Sequence, residues 1–179
     1  MIKITYFVHG TTVDNERHRS SGWNDAQLSE LGIKQSKELT ALTESKGFDA
    51  IFTSDLSRAI ESARLTWGNK YPQYSDKRLR ECNYGDLNGE DSDIVEAVQE
   101  KCIATPMPNG ESYEDVKARV NDFINFIKKE YEGKHIAIVA HKAPQLALDV
   151  LLKDMTWEEA FENDWRKNKA WQPGWEYEA

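Results

Sequence analysis

A chain of 179 residues with 39% hydrophobic residues has room for one full hydrophobic core, and a single domain over residues 1–179 is expected. Thirty-one acidic against twenty-three basic residues give a net charge of −8, which disfavours nucleic acid or an anionic membrane as the main partner, since both call for a basic surface. No stretch approaches the ~20 apolar residues of a membrane span, none reads as a signal peptide, and Cys82 and Cys102 lack zinc-like spacing, so a reducing, cytoplasmic setting is the expectation.

The first element reads as a buried strand. Ile2, Ile4 and Tyr6-Phe7-Val8 form a β-branched and aromatic run that stops at His9-Gly10, where the glycine allows a tight turn and a close approach by a ligand. Residues 11–27 form a long polar loop holding Arg17, His18 and Arg19. Ser29 is a candidate N-cap for a helix whose Leu31, Leu39 and Leu42 share a face and which Gly47 ends. Ala50-Ile51-Phe52 reads as a second strand. Ser54-Asp55 then opens a helix burying Leu56, Ala59, Ile60, Ala63 and Trp67, with Arg58 about one turn in.

Pro72 interrupts the chain before Leu79, Glu81, Tyr84 and the turn residues Gly85 and Gly89. Ile94, Val98 and Cys102 suggest a helix. After the Asn109-Gly110 turn comes a long helix with Val116, Val120, Phe123, Ile127 and Tyr131 at helical spacing. The segment HIAIVAH, residues 135–141, repeats the design of the first strand, and Pro144 opens the helix after it. The tail from Thr156, with Trp157, Trp165, Trp171 and Trp175, reads as core and lid packing and closes on a strand-like Trp175-Glu176-Tyr177. This alternation predicts an α/β fold, a three-layer αβα sandwich around a mostly parallel sheet.

Histidines at the carboxyl ends of strands in such a sheet lie where ligands bind, so His9 and His141 would face one crevice if their strands are neighbours. A neutral imidazole can attack a phosphoryl group, splitting one displacement into two. Arg58 and a protonated His141 would supply positive charge to the phosphoryl oxygens, the helix after Pro144 would add N–H groups, and Glu81 could give the leaving oxygen its proton. Two histidines and a carboxylate also describe a facial triad for iron.

Several motifs in order resemble the histidine phosphatase superfamily, the phosphoglycerate mutase-like group, along nearly the whole chain. They are His9-Gly10 with Thr12 and Asn15; Gly22, Asp25 and Leu28-Ser29; and Ser54-Asp55-Leu56-Ser57-Arg58-Ala59. Further on come Glu81 with Gly85 and Gly89, Pro108-Asn109-Gly110-Glu111-Ser112, and His141 after its strand. The resemblance implies a phosphoglycerate mutase-like fold, His9 as phosphorylated nucleophile, Glu81 as proton donor, and Arg58, His141 and Asn15 on the phosphate. It places Ser21-Gly22 at the substrate mouth.

Two positions depart from the family. Val8 stands where the first motif arginine belongs, and Lys142 where a glycine usually follows the second histidine. Lys142 is expected to replace part of the missing charge, as a point cation rather than a bidentate fork. The reading is a small phosphatase acting on a phosphorylated metabolite, with no metal or cofactor, as monomer or homodimer. Its alternatives are mutase-type phosphoryl transfer, disfavoured by the short acidic stretch 90–99, and a degenerate phosphate-binding protein, for which Val8 is the evidence.

Overall fold

Residues 1–168 and 174–179 are described by the computed structural model, and Trp171 of the aromatic tail lies outside them. In chain order the elements are β1 (Lys3–Val8), α1 (Val13–Glu16), β2 (Arg19–Ser20), α2 (Glu30–Leu42), β3 (Ala50–Thr53), α3 (Ser57–Trp67) and β4 (Gln73–Ser75). There follow β5 (Glu90–Asp91), α4 (Ser92–Val98), α5 (Tyr113–Glu130), β6 (His135–Ala140), α6 (Lys142–Leu152), α7 (Trp157–Glu162) and β7 (Trp175–Glu178). The main sheet runs β4-β3-β6-β1-β7, parallel throughout except for β7, which pairs antiparallel with β1.

Alternation along the two central strands sends their side chains to opposite layers. Ile4, Tyr6, Ile136 and Ile138 join Val116, Val120, Phe123, Ile127 and Leu146 of α5 and α6 in the larger core. Phe7, Ala137 and Val139 join Leu39, Ala63 and Trp67 of α2 and α3 in the smaller one. Helices therefore cover both faces, as the alternation of strands and helices requires.

Local readings needed correction where small residues, rather than leucines, make the contact. Leu31 and Leu42 of α2 are exposed, and Gly32, Ser36 and Leu39 form the buried face. α2 approaches the β1–α1 turn so closely that a Cβ on Gly10 would meet the Gly32 carbonyl, so Gly10 makes room for a helix rather than for a ligand. Ile60 is exposed on α3, and Val95, not Ile94, is the buried residue of α4. α2 is closed at Thr43, ahead of Gly47, whereas Pro144 does fall in the first turn of α6, which begins at Lys142. The supposed loop 11–27 holds α1, capped by a Thr12–Asn15 capping box, and β2, which pairs with β5.

Candidate active site

β1 and β6 are parallel neighbours in register, with Val8 opposite Ala140, and the His9 N–H continues the ladder to the Ala140 carbonyl at 3.0 Å. The next residue on each chain is thus a histidine on the same sheet edge, and the two imidazole centroids lie 5.0 Å apart. His9 lines a cavity of about 480 Å³ together with Arg58, Glu81, Asn15, Ser21, Gly22 and Lys142, and the buried His141 ring stands behind it.

His9 Nδ1 lies 2.7 Å from the Gly10 carbonyl, an acceptor only, so Nδ1 carries the proton and Nε2 keeps a free lone pair. Burial first, and then the Arg58 guanidinium, holds the His9 pKa down to about 3. The neutral, nucleophilic form is therefore present at all pH values above that and is lost only as pH falls through about 3. His18 is the opposite case: exposed, and hydrogen-bonded to Asp93 at 2.9 Å, it is raised above the ordinary imidazole value. In an NMR titration from about pH 8 to 5, His9 ring resonances should stay fixed while those of His18 move, with a midpoint above the usual ~6.5. A His9 midpoint near that usual value would remove the argument for a neutral nucleophile.

His141 is wholly buried. Its Nε2 meets Ser54 Oγ at 2.6 Å, and Ser54 Oγ also accepts the Leu56 N–H. Its Nδ1 is a buried polar atom with no hydrogen-bond partner, on a ring 5.0 Å from that of His9. Burial, followed by the charge of Arg58, keeps this imidazole well below the ordinary value. Both effects favour the neutral ring over the protonated form expected from the sequence. Tyr6 holds its backbone twice over, donating to the His141 carbonyl at 2.6 Å and accepting from its N–H at 2.9 Å.

Arg58, the second residue of α3, is 2% exposed and donates to the carbonyls of Gly22 at 2.7 Å and Asn24 at 3.0 Å. Gly22 serves through that carbonyl. Its φ of +55° and the Asn88 side chain against its Cα leave no space for a Cβ. Ser21 Oγ donates to Asp14 at 2.8 Å, and Asn15 Oδ1 accepts the Thr12 N–H at 3.0 Å, which leaves the Asn15 amide nitrogen for the cavity.

Glu81 is 8% exposed. One carboxyl oxygen accepts the N–H groups of Cys82 at 2.8 Å and Ala143 at 3.0 Å, and the other accepts Lys142 N–H at 3.2 Å. The amino-terminal N–H groups of α6, expected on the phosphate, are therefore taken by Glu81, because His141 at the N-cap offers no side-chain cap. The Glu81 carbonyl is pinned by Trp23 Nε1 at 2.7 Å and Arg119 at 2.9 Å. Arg119 also pairs with Glu111 and holds the carbonyls of Arg78 and Arg80.

The Lys142 ammonium turns to Gln99 Oε1 at 3.3 Å and stands 4.0 Å from Asp164. Val8 lines the cavity as an uncharged side chain. The facial-triad alternative does not fit. Among the described residues, the one group of three His, Cys, Asp or Glu ligand atoms within 4.8 Å of each other is the exposed His18–Asp91–Asp93 set, not His9, Glu81 and His141. No helix among the described residues is long and apolar enough to cross a membrane.

The profile of the histidine phosphatase superfamily (branch 1) matches residues 6–173. A 2,3-bisphosphoglycerate-dependent phosphoglycerate mutase of Methylobacterium sp. (strain 4-46) is 30% identical over 166 residues, covering 84% of this chain and 80% of that one. Among solved structures, Bacillus stearothermophilus YhfR superposes with a TM-score of 0.80 at 28% identity, over 89% of this chain and 84% of that one. A mycobacterial glucosyl-3-phosphoglycerate phosphatase in complex with VO3 superposes with a TM-score of 0.78 at 26% identity, over 89% and 84% of the two chains.

Proposed function

The chain belongs to the histidine phosphatase superfamily, branch 1, and on that premise we propose that it hydrolyses phosphomonoesters through a phosphohistidine on His9, with Glu81 as proton donor. The observation that carries this reading is the His9 tautomer: Nδ1–H donates to Gly10, so the Nε2 lone pair is free in the cavity that His9 and Arg58 line.

In the first step Nε2 forms a bond to phosphorus, the ester P–O bond breaks, and the departing oxygen takes the Glu81 proton. The N–H groups of Cys82, Lys142 and Ala143 then face the carboxylate so formed and stabilise it. In the second step water attacks phosphorus and returns a proton to Glu81, and inorganic phosphate leaves as the N–P bond breaks. Arg58, the His141 Nδ1–H and the Asn15 amide would hold the phosphoryl oxygens. That role requires the His141 ring proton on Nδ1, with Ser54 Oγ, 2.6 Å from Nε2, donating its O–H there.

Hydrolysis is favoured over mutase-type transfer by the acids at the cavity. Glu96 and Asp164 line it, and Asp91 and Asp93 lie on the segment beside it, which disfavours holding a second, highly charged phosphoester in place of water. A screen of phosphomonoesters with nitrophenyl phosphate as the positive control, run with and without chelator, tests the reading. Chelator-insensitive turnover supports it. Binding of phosphate with no turnover of any ester would make the chain a degenerate phosphate-binding protein.

A sharper prediction concerns Glu81→Gln. Alkyl phosphates should lose about 10²-fold or more in kcat, and nitrophenyl phosphate less than about tenfold, because an acidic phenol departs without much help. Equal losses would make Glu81 a cap for α6 and no proton donor.

A further inference from the structure

On the proposed reading His9 attacks through Nε2, which needs its ring proton on Nδ1, and the Gly10 carbonyl 2.7 Å away holds it there. That carbonyl belongs to the Gly10–Thr11 peptide unit. Glycine, with no Cβ, offers little resistance to rotation of the unit that follows it, so the direction has to be set from outside. The unit is trans, hence planar, with its C=O and N–H on opposite sides. Whatever holds the Thr11 N–H therefore aims the Gly10 carbonyl.

The holder is Gln35 of α2. Its Oε1 accepts the Thr11 N–H at 2.9 Å and the Thr11 hydroxyl, also at 2.9 Å. A backbone N–H can only donate, so it is the amide oxygen of Gln35 that faces it. α2 comes this close because Gly32, three residues earlier on the same face, has no side chain: a Cβ there would strike the Thr11 carbonyl. The neighbouring peptide units have other partners. Ser62 Oγ accepts the Gly10 N–H at 2.9 Å, the Ser29 N–H donates to the Thr11 carbonyl at 2.9 Å, and Asn15 Oδ1 accepts the Thr12 N–H at 3.0 Å.

We infer that Gln35 is a positioning residue for the phosphohistidine step, aiming the Gly10 carbonyl at His9 Nδ1 and so fixing which ring nitrogen carries the lone pair. This role rests on the proposed reading of His9 and adds the group that selects its reactive tautomer. Gln35 is not among the residues lining the cavity, so it acts on the ring through the peptide and not on the phosphate. Nor does it control the charge of the ring. The bond to Gly10 raises the His9 pKa against burial and Arg58, so losing it leaves the imidazole neutral. What changes is the place of the single proton. With the carbonyl turned away the proton is free to move to Nε2, and the attacking nitrogen then has no lone pair.

Gln35→Met keeps the length of the side chain and removes the acceptor, Gln35→Leu is a second removal, and Gln35→Glu keeps the acceptor. Long-range proton–nitrogen NMR correlations read the tautomer of each ring. His9 should show the Nδ1–H pattern in wild type and Gln35→Glu, and an Nε2–H or mixed pattern in both removals. His135, at the far end of β6, should keep its own pattern throughout. Phosphorylation by saturating nitrophenyl phosphate, followed before the steady state, should slow by about tenfold to 10²-fold in the removals, as for a misplaced reacting group. Inorganic phosphate should still bind within about threefold of wild type, which also reports an intact fold. Gln35→Glu should be phosphorylated within about threefold of the wild-type rate.

An unchanged Nδ1–H pattern in the removals overturns the inference, whatever the rates do. So does a shifted tautomer with an undiminished rate, or a Gln35→Glu protein as slow as the removals. Phosphate binding lost in step with rate, or failure of both removals to fold, would make Gln35 part of the frame of the loop and overturns it as well. A wild-type protein that shows the Nδ1–H pattern yet is phosphorylated by no ester would sink the phosphatase reading, and the tautomer comparison would still decide whether Gln35 aims the carbonyl.

Discussion

His9→Ala is expected to abolish turnover, by roughly 10⁴-fold or more in kcat, without unfolding the protein. The size follows from the two-step path: with no nitrogen to accept the phosphoryl group, water must attack the ester directly in a site built around a displaced nucleophile. Stability should change little, because the His9 side chain makes one hydrogen bond, to the carbonyl of its own neighbour Gly10, and stands half-buried at the cavity. The strand pairing that fixes this edge runs through backbone groups that alanine retains.

Wild-type protein quenched during turnover of labelled substrate should carry an acid-labile, base-stable phosphoryl group, and the alanine variant none. An alanine variant that stays folded and still turns over substrate would end the phosphohistidine mechanism. Because the nucleophile stays neutral down to about pH 3, wild-type phosphorylation should not fall off through an imidazole protonation near pH 6.5.

The sheet and the pairing of the two histidines were legible in the sequence for a physical reason. Continuous apolar strands ending at His9 and His141 can only be buried between two helical layers, and burial of both puts their ends on one edge. What stayed hidden was the set of groups that hold the site residues still. Tyr6 reads as another aromatic in a core strand, and its hydroxyl finds the His141 backbone only once β1 and β6 pair. Arg119 lies on α5 beside the core residue Val120, and nothing in its spacing announces that it grips the segment carrying Glu81. Ser54 was in plain view within the Arg58 motif, where its bond to His141 gives a reason for the serine. The α6 amides misled because a free helix N-terminus invites an anion, and the anion turned out to be the protein's own Glu81.

Arg58→Lys should lower kcat/KM by roughly 10²–10³-fold, the loss found when one preorganised transition-state donor is removed. The resemblance implies a second arginine next to the nucleophile as a partner on the phosphate. Here that position is Val8, so no guanidinium on β1 can make up for the loss. The planar fork of Arg58 also does two things at once. It bonds the Gly22 and Asn24 carbonyls of the cavity-lining turn, and on the proposed reading its further N–H groups would serve the phosphoryl oxygens.

A lysine carries the charge, but its single nitrogen cannot span both carbonyls and the phosphate. One of the two carbonyls would be left short of a donor at a cost of about 1–3 kcal/mol. The variant should therefore lose thermal stability as well as rate, and its affinity for vanadate, a mimic of the transferring group, should fall alongside kcat/KM. Val8→Arg in the lysine background should recover part of the vanadate binding but not the stability, since an arginine on β1 would serve the phosphate and not the 22–24 turn. A loss of less than about tenfold for Arg58→Lys would show that charge alone is needed at this position, and the bidentate geometry would then have no catalytic part.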